Sequence, residues 1–553
     1  MSGAAVVGVP ASAGHAAQSP GSLSPRDSRI GNQERPNRLK AGLQRVATAL
    51  IILLLLHAAQ LTHAQQPSCD EVTRALTKAA AFFHDHVSIH GGYVYAFSGD
   101  LQKREGEGVT DEHTIWVQPP GTPLVGEAML DVFEATKDAK ILGYAKEAAL
   151  ALAQRQLQSG GWHYGAHFET VSEKKDFHRF DLDWKPVPDR VPENERAISV
   201  GWDVWKRRTF EANLTILDDD TTQSALRFLV RIDKVLNFAE PRIHDAALFG
   251  LKSLAQAQYP NGAWSASYDR FPDQSPSNDG FPVKKASYPD DWPRKWPKDF
   301  TGCYVINDDL VADAMHTMLR AHEVYGDARY LECAKKAGRF FLLAQMPDPQ
   351  PAWAQQYDRD MHPVWSRAFE PSAISSRESE TVMEALMMLA RATGDKSWLA
   401  PIPKALAYLR KSLLPDGKLA RFYELKTNQP IYFQRKKGGG DEMTYSNARP
   451  ADHYGFIIDP ILDEIEAEHR RLSAMPKPAG ERPIKETPAE LSKAAREIIA
   501  SMDERGAWVQ HGVKMKHNKG VPPSGVIFSE VFAKNVAKLC NSIGVGHRPP
   551  LSQ

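Results

Sequence analysis

Cysteine is scarce. Cys69, Cys303, Cys333 and Cys540 are the only four in 553 residues, too few for a disulfide scaffold, although one or two bridges can form in an oxidising compartment. An excess of charge of either sign is also missing. Lys plus Arg and Asp plus Glu both total 68, so the chain lacks the broad basic surface that nucleic acid requires. A local basic cluster on a neutral chain can still hold an anionic sugar. No EF-hand loop and no His-Glu-x-x-His zinc spacing occur. The longest apolar run, Val46 to Ala58, falls short of the roughly 20 residues that span a bilayer.

That run has a different use. Arg35, Arg38, Lys40 and Arg45 lie on its N-terminal side, and Thr62-His63-Ala64 beyond it supplies small residues at cleavage offsets. Residues 1–64 therefore read as an N-terminal segment and signal peptide, cut before Gln65. An uncleaved anchor is the alternative. Either way the remainder is expected outside the cytoplasm, secreted or periplasmic, with no membrane association after cleavage.

What the chain has in quantity is repetition. A helix-like stretch ends, one or two small residues follow, then usually an aromatic. The marks are Gly91-Gly92-Tyr93, Gly160-Gly161-Trp162, Gly262-Ala263-Trp264, Pro351-Ala352-Trp353, Gly417-Lys418-Leu419 and Gly506-Ala507-Trp508. Their spacing suits two helices and a variable loop. Ala149 to Ala153, Ala246 to Leu251, Ala337 to Ala344 and Ala405 to Leu414 carry helix formers at i, i+3, i+4 spacing. Within a unit, Ala135-Thr136-Lys137-Asp138, Val324-Tyr325-Gly326-Asp327 and Ala392-Thr393-Gly394-Asp395 read as a left-handed helix end and a turn. Few segments look like strands. The prediction is an all-α fold of helical hairpins, closed into an (α/α) toroid or left as an open solenoid. The toroid is favoured because it buries one common core.

The expected organisation is an extra N-terminal hairpin at 65–144, the main helical toroid at 145–473, a Pro- and charge-rich linker at 474–489, and C-terminal helices at 490–553 completing the toroid. Residues 270–300 form an irregular insertion, and a glycine run at 438–440 has no assigned place.

In a helical toroid the inner helices start at one mouth, and two candidate starts are acidic: Asp218-Asp219-Asp220-Thr221-Thr222 and Asn307-Asp308-Asp309. A third, Ser376-Arg377-Glu378-Ser379-Glu380, mixes charges. Ordinary helix capping explains any single acid here. Three adjacent aspartates exceed what a cap needs, and two such starts can offer oxygens to a hard cation such as calcium. Arg367 and Arg421 lie in loops beside aromatics, where a guanidinium either pairs with Glu370 or Glu424 on the surface or presents a planar fork to a carboxylate. Trp162, Trp264 and Trp353 read as core rather than sugar platforms, and His163, His167 and His453 receive no catalytic role.

Together these segments resemble the family 10 polysaccharide lyases, pectate lyases with an (α/α) toroid. The carrying residues are Ser159-Gly160-Gly161-Trp162, the acidic start at 218–222, Ala257-Gln258-Tyr259-Pro260-Asn261-Gly262-Ala263-Trp264, Ile306-Asn307-Asp308-Asp309, Pro351-Ala352-Trp353-Ala354-Gln355-Gln356-Tyr357-Asp358, Arg367-Ala368-Phe369-Glu370-Pro371-Ser372 and Leu419-Ala420-Arg421-Phe422-Tyr423-Glu424. They run in the family's order from 145 to about 460. The resemblance implies calcium-assisted β-elimination of polygalacturonate. It puts Asp218 or Asp219 and Asp308 at the cation and substrate, Arg367 as the base taking the C5 proton, and Arg421 at a substrate carboxylate. The chain departs from the family at Asp218-Asp219-Asp220, where Asp followed by Asn is expected, and at Arg377, where a small residue is commoner. Two rival functions remain. One is a glycoside hydrolase using Asp308 with Glu378 or Asp219. The other is a non-catalytic polysaccharide-binding protein whose acids are only caps.

Overall fold

The computed structural model describes residues 67–169, 177–196, 201, 209–299, 301–437, 439–480 and 486–545. The N-terminal segment 1–64, with its apolar run and the expected cleavage site, lies outside the described residues. Among the described residues no helix is long and apolar enough to cross a membrane.

Some helices begin where the sequence supplies a side-chain cap. Helix α1 (Cys69–Phe82) opens on a Ser68–Glu71 capping box. After α2 (Thr122–Thr136), Lys137 takes a left-handed conformation and Asp138 caps α3 (Ala139–Gln154). Then come α4 (Thr221–Val235) and α5 (Pro241–Gln256), with a proline in the first turn of α5. Helix α6 (Leu310–Tyr325) ends on left-handed Gly326, and Asp327 caps α7 (Ala328–Ala344). The same Gly-Asp device ends α8 (Ser376–Thr393) at Gly394, where Asp395 caps a short 3₁₀ turn before α9 (Ile402–Lys411). Helices α10 (Leu462–Ala474), α11 (Pro488–Ala500) and α12 (Ser529–Ser542) follow, and a single helical turn, Glu193–Arg196, lies between α3 and α4.

Position after a mark, with burial, sorts them into an inner and an outer layer. Helix α4 is buried continuously from Thr221 to Asp233, whereas α5 buries one face, chiefly Ile243, Ala246, Ala247, Gly250, Leu251 and Leu254. The inner helices pack side by side in the order α12, α2, α4, α6, α8, α10, and α3, α5 and α7 pack outside α2, α4 and α6. One apolar core runs through all of them.

The marks are the joints of this arrangement. The indole N–H groups of Trp162, Trp264, Trp353 and Trp508 each donate to a carbonyl of the preceding outer helix, Leu152, Leu254, Phe341 and Ile498 respectively, at 2.8–2.9 Å. The first three rings are wholly buried, so they are core, as expected. The backbone N–H groups of Tyr93, Trp162 and Trp353 donate to hydroxyls at the start of the following inner helix, Thr122, Thr222 and Ser379. A Cβ at Gly262, which has φ +101°, would lie 1.9 Å from the Lys336 carbonyl oxygen. Only glycine fits that joint.

Strands are more numerous than expected. Gly165–His167, Ser267–Tyr268, Gln356–Tyr357 and Phe422–Glu424 follow a mark, and each pairs with a strand ahead of an inner helix: Thr114–Trp116, Thr215–Ile216, Tyr304–Val305 and Ala373–Ser375. At two or three residues they are too short to show an alternating pattern. The glycines at 439 and 440 belong to the turn joining strands Pro430–Arg435 and Asp441–Thr444. All four cysteines are free, three of them buried, so no disulfide forms among the described residues.

Candidate functional site

The two acidic helix starts fold alike. Each is a single 3₁₀ turn ahead of its helix, and Asp219, Asp220, Asp308 and Asp309 have positive φ of 50°, 57°, 48° and 60°. Aspartate tolerates that region better than most residues, yet two in succession is costly. Neither start caps its helix: Asp220 and Asp309 hold the N-cap positions of α4 and α6 without a side-chain cap bond. Capping therefore does not explain these acids. Asp220 pairs with Arg227 below it, and Asp309 Oδ2 lies 3.4 Å from Arg377 Nη2.

The left-handed turns bring the other three acids together. Asp218, Asp219 and Asp308 each place a carboxylate oxygen within 4.8 Å of the others. Burial, reinforced by the charge of Asp219, raises Asp218 to about 7. Asp219 and Asp308 are raised too, by burial first and then by neighbouring carboxylates, including Glu107 for Asp219 and Asp218 for Asp308. Partners hold the cluster at its edges. Tyr164 Oη donates to Asp218 Oδ2 at 3.4 Å, Gln118 Nε2 to Asp219 Oδ2 at 3.0 Å, and Arg367 Nη2 to Asp308 Oδ2 at 2.9 Å. An all-oxygen donor set of three crowded carboxylates suits a hard divalent cation such as calcium, whose charge would offset their repulsion.

Arg367 faces this cluster from the opposite loop. Its guanidinium bonds both Asp308 and Glu370, so the pairing with Glu370 read from sequence is present. It lies only partly at the surface, since the Arg367 side chain is 44% exposed and that of Glu370 1%. Glu370 also accepts from Ser366 Oγ at 3.0 Å and Tyr454 Oη at 3.1 Å. Burial alone would lower the Arg367 pKa, but Glu370 and Asp308 more than reverse that and hold its proton firmly.

Arg421 sits deeper, 12% exposed, pairing with buried Glu378 rather than with Glu424 and lying 4.3 Å over the Tyr454 ring. Its Nε is buried without a partner. Burial would raise Glu378, but Arg421, Ser375 and Gln355 outweigh it and leave its pKa lowered. That combination suits an ion-pair anchor and not the proton-donating acid of a hydrolase. His167 bonds Thr114 at 2.9 Å, His453 lies 3.4 Å from Asp441, and His163 packs edge-on to Tyr164; none belongs to the cluster.

Sequence reasoning missed Tyr454, Gln118 and Tyr164. Tyr454 bridges the two arginines, and Gln355 Nε2 lies 3.1 Å from its hydroxyl. Tyr164, two residues after a mark, was within reach of the repeat pattern; Tyr454 and Gln118 stand in irregular loops without periodicity.

The chain matches no known family profile and no curated protein. Solved structures resemble it distantly. A family 10 polysaccharide lyase from Cellvibrio cellulosa is 16% identical, covering 63% of this chain and 98% of its own, with a TM-score of 0.38. The GH76A alpha-1,6-mannanase from Salegentibacter sp. HEL1_6 is 12% identical over 86% of this chain and all of its own, TM-score 0.38. Cellobiose 2-epimerase from Bacillus thermoamylovorans B4167 is 12% identical over 65% of this chain and 76% of its own, TM-score 0.37. Likenesses at this level assign no activity, and the functional reading rests on the site.

Proposed function

We propose that the chain is an exported pectate lyase that cleaves polygalacturonate by calcium-assisted β-elimination, its helical arc closed as an (α/α) toroid. The observation that carries this reading is the convergence of Asp218, Asp219 and Asp308 within 4.8 Å, with Arg367 bonded to Asp308. The ordered family 10 segments in the sequence support the uronate substrate. Asp218, Asp219 and Asp308 would hold the calcium. When bound, the ion supplies positive charge that neutralises a uronate carboxylate and acidifies the adjacent C5–H.

The remaining roles belong to the chain's own side chains. Arg367 is assigned to the C5 proton. Each carboxylate contact keeps its guanidinium charged, so it must first pass a proton to Asp308 or Glu370 beside it before it accepts the C5 proton. Arg421, anchored by Glu378, is assigned to a substrate carboxylate. Loss of the C5 proton and departure of the C4 oxygen leave a 4,5-unsaturated uronide.

A second reading, hydrolysis, draws on the raised pKa of Asp218, which at about 7 lets that carboxyl give up a proton near neutral pH. The products separate the two readings. Polygalacturonate turnover followed by ultraviolet absorbance should rise with calcium and stop on chelation. Reducing ends released without absorbance would establish the hydrolase instead, and full absorbance in excess chelator would remove calcium.

A further inference from the structure

Residues 95–118 precede the segment over which the lyase resemblance runs, yet they reach the acid cluster. Gln118 lies just ahead of inner helix α2, as Asp218 to Asp220 lie ahead of α4 and Asn307 to Asp309 ahead of α6. It is not the cap of its helix, because Gly121 occupies that position. Its side chain instead makes two bonds: Nε2 donates to Asp219 Oδ2 at 3.0 Å, and Oε1 accepts from Trp116 Nε1 at 3.1 Å. An indole nitrogen can only donate. The Trp116 contact therefore fixes the amide with its oxygen toward the indole and its NH₂ toward Asp219.

Trp116 is itself immobilised. Its strand pairs with Gly165–His167, and Tyr95 meets its ring edge-on with centroids 5.8 Å apart. A Cβ at Gly106 would lie 2.3 Å from the indole, so the backbone there packs directly on the ring. Backbone bonds brace the turn as well. Val117 N donates to the Tyr164 carbonyl at 2.7 Å, and Gly121 N to the Gln118 carbonyl at 2.9 Å. Tyr164 is the residue whose hydroxyl reaches Asp218. The same short stretch thus braces two of the three acids.

We propose that Gln118, oriented by Trp116, is a positioning residue for the cation site: it engages one oxygen of Asp219 and leaves the other for the ion shared with Asp218 and Asp308. The inference rests on the cation reading above. A neutral donor does this without adding charge to an already crowded set of carboxylates, and such outer partners commonly set metal affinity by about 10- to 100-fold.

The test is calorimetric titration of calcium alone into the full chain, stripped beforehand with chelator, for wild type, Gln118→Met and Trp116→Phe. Gln118→Met keeps the side-chain length and loses both polar atoms; Trp116→Phe keeps a ring and loses the orienting N–H. The expected result is a dissociation constant raised about 10- to 100-fold in Gln118→Met, raised less in Trp116→Phe, with calcium-free thermal midpoints unchanged. Excess calcium should then restore polygalacturonate turnover without a change in KM. Wild-type affinity in both variants overturns the proposal while leaving the cation reading intact. A lowered calcium-free midpoint with no rescue by excess calcium also overturns it, since that is the signature of a structural role. Absence of calcium binding by the wild type overturns the cation reading, and this proposal with it.

Discussion

Asp218 and Asp220 are two residues apart and face opposite ways, one into a crowd of carboxylates and one onto Arg227. The crowding has a pH signature. Asp218 has a folded-state value of about 7, against roughly 3.9 for an unperturbed aspartate. Its contribution to stability is full below about pH 4 and is lost as pH rises through about 7, because the folded chain binds a proton that the unfolded chain has released. In chelator, wild type should therefore lose more thermal stability between pH 5 and pH 8 than Asp218→Asn. Calcium binding requires the ionised form, so the calcium concentration for half-maximal activity should climb as pH falls below about 7. Equal pH profiles for the two proteins would show that Asp218 is not held protonated. At Arg367, replacement by Lys should reduce kcat almost as severely as replacement by Ala, since Lys keeps the charge but loses the planar fork. Arg421→Lys should mainly raise KM. Wild-type kcat in Arg367→Lys would take the base role away from Arg367.

The repeating element is an inner helix, an outer helix, a mark and a short strand, and the mark locks it. Trp264 bonds back to Leu254 while Gly262 lets the backbone pass against Lys336. Gly262→Ala meets both a left-handed backbone and a carbonyl oxygen 1.9 Å from its new methyl. Destabilisation of about 1–3 kcal/mol is expected from the backbone conformation alone, read as a lower denaturant midpoint at an unchanged m-value. A silent Gly262→Ala would show that the joint tolerates a shift of α7. The marks and the Gly-Asp turns were legible because each answers a local need: a positive φ, a cap, or a buried ring. The paired strands were not, because two or three residues carry no period and the partner lies some fifty residues away.

At the scale of the described residues as a whole, the early and late stretches meet. Ala96–Ser98 pairs with Val526–Phe528, the same relation of a strand after a mark to a strand before an inner helix that recurs in the interior. Helix α1 packs on α12, and Phe83 just past the end of α1 stacks on Phe532 with centroids 3.9 Å apart. Cys540 Sγ in α12 lies 3.7 Å from the Asp131 carbonyl oxygen of α2. We accordingly regard the stretch within 65–144 as part of the main helical body rather than as an added hairpin. A chain lacking residues 67–98 would expose Val526, Ile527 and Phe532 and leave the Val526–Phe528 edge open. It should be insoluble or unfold without a cooperative transition. A truncated chain with a sharp transition at the full chain's midpoint would restore the reading of an appended hairpin.

The sequence by itself determined the helical hairpins, their order, the joints between them and which acids open the inner helices, because capping, left-handed turns and helical periodicity are written in neighbouring residues. It also drew attention to Arg367 and Arg421 through their aromatic surroundings. Only the tertiary structure decided that Asp218, Asp219 and Asp308 converge while Asp220 and Asp309 turn away onto arginines, that Glu370 is buried, and that Gln118 reaches Asp219 across 101 residues of chain. Those outcomes depend on which inner helices lie side by side. Adjacency between helices is settled by burial of one shared core, and no local pattern encodes it.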